Sequence, residues 1–90
     1  MIENKDKETI NKLRKHINNL DIKIFNLIKN RNKISKEIGI IKKNNNLQIK
    51  NKKVEDDNKK MIIDLYPEID KKNILKIKNI LISMSIDNQK

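Results

Sequence analysis

Ninety residues with a net charge of +10 make one domain, and a chain this short buries little apolar surface when it folds alone. Twenty of the 22 basic residues are Lys, and Phe25 and Tyr66 are the only aromatics, so the arginine clusters and stacking platforms of a nucleic-acid binder are missing and no nucleic-acid partner is expected. The absence of Cys, the single His16 and the lack of any apolar run near the ~20 residues of a membrane span exclude thiol chemistry and point to no metal, no membrane partner and a soluble, cytoplasmic protein.

The first element is a long amphipathic helix. Ile10, Leu13, Ile17, Leu20, Ile24, Leu27, Ile34, Ile38 and Ile41 recur at 3-4 spacing, which predicts one helix over about 5–43. Gly39 falls inside the pattern and is read as tolerated there at some cost in helix propensity. Asn44-Asn45-Asn46 ends the helix in a polar loop. A second helix, 51–65, starts at Asn51 as N-cap, buries Val54, Met61, Ile62 and Leu65, and stops at Tyr66-Pro67. Asp70 caps a third helix, 70–88, with Ile74, Leu75, Ile77, Ile80, Leu81, Ile82, Met84 and Ile86 around most of its circumference. No strand alternation appears, so the fold class is all-α: a single domain, 1–90, of three helices. A first helix of ~39 residues extends ~58 Å, longer than its own chain can cover. The expectation is a homodimer whose long helices pack together.

One residue interrupts the apolar seam. After Ile24 and Leu27 the next seam position is Arg31, and a buried guanidinium without a partner is costly. The ordinary reading is an ion pair with Asp21 or Glu37, or a side chain that snorkels to water. The functional reading is that Arg31 awaits an anionic ligand, with Ser35 one turn on and Lys42 about 16 Å further along nearly the same face. Arg14 precedes Arg31 by about 25 Å of helix rise. In an antiparallel pair of long helices it reaches the partner's site instead, which brings together the residue type best suited to gripping carboxylates.

The run Leu13-Arg14, Leu20-Asp21, Arg31, Ile34, Glu37-Ile38-Gly39 and Lys42 resembles the first helix of the all-helical chorismate mutases, the type II family, and the similarity extends from about residue 10 to Gln89. The resemblance implies an intertwined homodimeric helical bundle. Its activity is an isomerase reaction, the intramolecular Claisen rearrangement of chorismate to prephenate on the route to phenylalanine and tyrosine. Carried over by position, Arg14 of the partner chain, Arg31 and Lys42 resemble the cations that hold the substrate's two carboxylates, and Lys42 also the donor to the ether oxygen. Ser85 matches a residue near a carboxylate, and Gln89 one opposite Lys42. Glu55 matches the acceptor of the ring hydroxyl, and Asn51 stands where the family has Asp.

Alternatives remain beside the resemblance. Asn51 also reads as a plain helix cap, and Glu55 as a first-turn residue favoured by the helix dipole. Val54 stands where family members commonly carry Arg; Lys52 and Lys53 are the neighbours placed to restore positive potential. The chain ends one residue after Gln89, which predicts fraying of the turn that carries it, and family members also occur fused to other aromatic-pathway enzymes. No activated nucleophile and no His–carboxylate pair is present, which suits a rearrangement needing neither, and no cofactor is implied. An isochorismate pyruvate lyase of the same fold, or a non-catalytic basic helical binding protein, are the rival readings.

Overall fold

The computed structural model describes residues 3–90 and contains three α-helices and, among those residues, no strand. Helix α1 is Asn4–Asn44, α2 is Lys52–Leu65 and α3 is Lys71–Gln89. The chain divides into two compact units, one ending at Asn30 and the other comprising Arg31–Lys90.

In the first unit the helix has Asp6 in its opening turn, where a carboxylate meets the positive end of the macrodipole. The apolar stripe of this unit lies open. Leu13, Ile17, Leu20, Ile24 and Leu27 are each more than half exposed.

In the second unit three turns of α1 pack on α3, and α2 provides the return between them. The ends of these helices follow from local chemistry. Asn46 adopts a left-handed conformation at φ 54°, one of the few non-glycine residues that does so at low cost. It allows Asn46 N–H to bond Lys43 O and Leu47 N–H to bond Lys42 O, the paired bonds of a Schellman motif. Asn51 caps α2 by accepting from Val54 N–H at 3.2 Å, and Asp70 caps α3 by accepting from Lys72 N–H at 2.8 Å; each side chain satisfies a donor that the first turn leaves open. Pro67 then follows Tyr66, the C-cap of α2, and cannot donate into a continuing helix.

The packing of α1 on α3 has a constant register. Arg31 Nη1 donates to Leu81 O at 3.3 Å and Ser35 Oγ to Ser85 Oγ at 3.2 Å, each pair fifty residues apart. Gly39 meets Gln89 at the same offset. Four-residue steps keep one face of each helix in contact, and because both numbers rise together the two segments run parallel. Gly39 is not merely tolerated in the helix. A Cβ built there would lie 2.6 Å from Gln89 Cα and 2.6 Å from Gln89 O, so the absent side chain is what lets the end of α3 approach.

The end of α3, where fraying was expected, is helical and packed. Gln89 is buried and helical, Lys90 N–H bonds Ile86 O, and Lys43 Nζ donates to Lys90 O. Of the apolar side chains described, only Ile74 is buried. Val54, Met61 and Leu65, expected on the buried side of α2, are at least half exposed, as are Ile77 and Ile80 of α3. Three short helical segments cannot enclose one another on every side, so these faces stay in solvent within one chain. No described helix is long and apolar enough to cross a membrane.

Candidate active site

The second unit holds a cleft of about 280 Å³ lined by residues of all three helices and of the α1–α2 loop. Ligand pockets start at roughly this size. From α1 come Arg31, Ile34, Ser35, Ile38 and Lys42; Ile49 and Asn51 come from the loop. Helix α2 contributes Val54, Glu55 and Asn58, and α3 contributes Lys78, Ile82, Ser85, Ile86 and Gln89. Six of the seven site residues expected from the sequence, Arg31, Lys42, Asn51, Glu55, Ser85 and Gln89, therefore line one cavity. Arg14 does not. It belongs to the first unit, in a shallow depression with Lys7, Ile10 and Asn11.

Polar contacts fix several of these groups before any ligand arrives. The half-buried Lys42 donates to Gln89 Oε1 at 2.9 Å and to the carbonyl of Ile49. An ammonium has three donors, so one remains for a ligand. With Oε1 engaged, the amide nitrogen of Gln89 is the atom that can donate into the cleft. The buried Ser35 donates to Ser85, which leaves the Ser85 hydroxyl hydrogen available. Asn51 uses Oδ1 as a cap and retains its amide hydrogens; the cap and the cleft position are compatible.

Arg31 makes no ion pair with Asp21 or Glu37. The one pair within 4 Å among the described residues is Lys90–Asp87, on the exposed end of α3. Its guanidinium is held instead by the carbonyl of Leu81, a neutral acceptor that orients the charge and leaves other donors of the fork unused.

Lys78 was not expected in the cleft. Neither Lys52 nor Lys53, the neighbours of Val54, lines it. Burial, then Arg31, then Lys59 hold the Lys78 ammonium below the usual lysine range. Lys78 sits among seam-like positions of a helix that is apolar nearly all round, and in a sequence with 20 Lys nothing local sets it apart. The signal was its place seven residues before Ser85, two turns back on the same face. Asn58 was missed for the same reason, lying three residues after Glu55. Among the described residues no three His, Asp or Glu side chains gather where a metal ion could be held.

The model for the chorismate mutase type II family matches residues 13–90 of this chain. The chain belongs to that family. Chorismate mutases of type II are all-α isomerases that convert chorismate to prephenate, and this chain is accordingly an enzyme of that class. Neither the curated proteins nor the solved structures yield a match.

Proposed function

We propose that the cleft of this chorismate mutase binds chorismate, rearranges it to prephenate on the way to phenylalanine and tyrosine, and is completed by Arg14 from a second copy of the chain. The observation that supports this reading is the cleft's charge. Three cations of one chain, Arg31, Lys42 and Lys78, line the cleft with one carboxylate, Glu55, so it is positively charged even before Arg14 of the partner is added, as a substrate with two carboxylates requires.

In the rearrangement one C–O bond breaks as one C–C bond forms within the same molecule, with no proton or electron exchanged with the protein. Catalysis then has two parts: holding the flexible substrate in its compact reactive conformer, and stabilising negative charge that develops on the ether oxygen. Arg31, Ser85 and the partner's Arg14 do the first by holding carboxylates. Lys42 and the amide nitrogen of Gln89 do the second; the bond between their own side chains keeps both in place beforehand. Glu55 accepts from the ring hydroxyl, and the amide of Asn51 donates at the cleft edge.

The dimer reading is supported by the apolar stripe of the first unit, which is open to solvent in one chain; burying it removes on the order of 25 cal/mol per Å² of apolar area from water. The test of function is loss of chorismate ultraviolet absorbance with purified protein, followed by identification of the product. Prephenate is expected. Salicylate and pyruvate from isochorismate, with chorismate untouched, would replace this reading by the lyase of the same fold.

A further inference from the structure

Lys78 is unexplained by the roles given so far. It lines the cleft from α3 as Val54 does from α2, and it is half-buried, with Arg31 close enough to disfavour its charge. Among the described residues no carboxylate lies within 4 Å of its ammonium. Two neighbouring cations in a partly apolar cleft weaken the empty protein, and the arrangement becomes favourable when an anion lies between them. Helix α2 contributes only Val54 and the amide of Asn58 beside Glu55. Without Lys78 this chain's own residues would give the cleft a net charge of +1, leaving the second countercharge for a dianion to Arg14 of the partner alone.

We propose that Lys78 is a substrate-binding residue that grips, together with Arg31, one of the two carboxylates of the ligand; this rests on reading the cleft as the chorismate site. Lys78 is seven residues from Ser85 and eleven from Gln89 on α3, so it lies at the Arg31 end, away from the Lys42–Gln89 pair assigned to the ether oxygen. It binds ground state and transition state alike and contributes to KM, not to kcat.

The test compares four full-length proteins: the parent, Lys78→Met, Lys78→Arg, and Lys78→Met combined with Val54→Arg. Lys78→Met should raise KM for chorismate about 10- to 100-fold, the range for one charge-assisted contact, with kcat changed by less than about threefold. Its melting temperature should rise, because a repulsive neighbour of Arg31 is gone. Lys78→Arg should keep the parent KM, and Val54→Arg should restore much of it by placing a cation on α2 in the same cleft. An unchanged KM in Lys78→Met, or a fall in kcat together with a lower melting temperature, would overturn the proposal while the chorismate reading stands. If the parent leaves chorismate unchanged, that reading fails by itself, and calorimetric titration with prephenate decides about Lys78. Weaker binding to Lys78→Met by the same factor supports the carboxylate contact; equal binding, or none to the parent, overturns it.

Discussion

Gln89 and Lys42 form a hydrogen-bonded pair between α3 and α1 in the cleft. Their bond engages Oε1 of the amide and one of three ammonium donors, so each keeps a donor in reserve. Gln89→Glu preserves shape and replaces that donor by a carboxylate, which near neutral pH only accepts hydrogen bonds. Activity should fall about 10²- to 10³-fold at pH 7, the magnitude for losing one preorganised donor. The new carboxyl is buried and faces a bound dianion, and both raise its pKa, against which Lys42 acts. As pH falls through that pKa the neutral acid donates again, so the variant should recover activity toward acid while the parent changes much less. A pH–rate profile of both proteins over about pH 5–8 checks this, and flat, near-parental activity of the variant would remove Gln89 from the reaction.

The helices were legible where one period dominates. The 3-4 spacing from Ile10 to Ile41 identifies α1, and Asn51 and Asp70 mark the starts of α2 and α3 by cap chemistry that depends only on local residues. The helix does run through Gly39 as expected, but what Gly39 and the last turn of α3 do for each other was not legible, for a shared reason. Each depends on the other across fifty residues of sequence, and no local pattern records a close approach between distant segments. Lys78 was overlooked because a lysine on a nearly all-apolar helix, in a lysine-rich chain, has no local mark of function. The contact at Gly39 gives a measurable consequence. In an ordinary helix Gly→Ala stabilises by about 1 kcal/mol, but Gly39→Ala puts its methyl against backbone atoms of Gln89 that cannot swing aside. Stability should instead fall by about 1–3 kcal/mol. The activity should fall by about 10²-fold as Gln89 is displaced by an ångström or so. Thermal melting and steady-state kinetics measure both, and a raised melting temperature with parental kcat would show that the approach of α3 to Gly39 is not needed.

Considered as a whole, the chain has its candidate cleft in Arg31–Lys90 and one candidate ligand, Arg14, outside it. Light scattering should give twice the 10.7 kDa chain mass. Arg14→Ala and Lys42→Ala should each be nearly inactive, and unfolding and refolding them together should restore about a quarter of parental activity. That value follows because random pairing makes half the dimers mixed, and one of the two sites in each mixed dimer is intact. No recovery would mean that Arg14 serves its own chain or no site. The constant offset of fifty residues between α1 and α3 also bears on how such a chain can change over time. Arg31 to Leu81, Ser35 to Ser85 and Gly39 to Gln89 all depend on the length of what lies between, whereas the exposed lysines of that interval that neither line the cleft nor bond the end of α3 contribute little to the pairing. Deleting one residue from a helix turns everything beyond it by about 100° and draws it back by about 1.5 Å. A single such loss within α2 would leave every cleft side chain in the sequence and still carry part of that wall out of the cleft. Exposed letters in the interval that neither cap a helix nor line the cleft are free to drift toward lysine and asparagine, but its length is not, and a lost residue must be matched by a gained one before the site exists again.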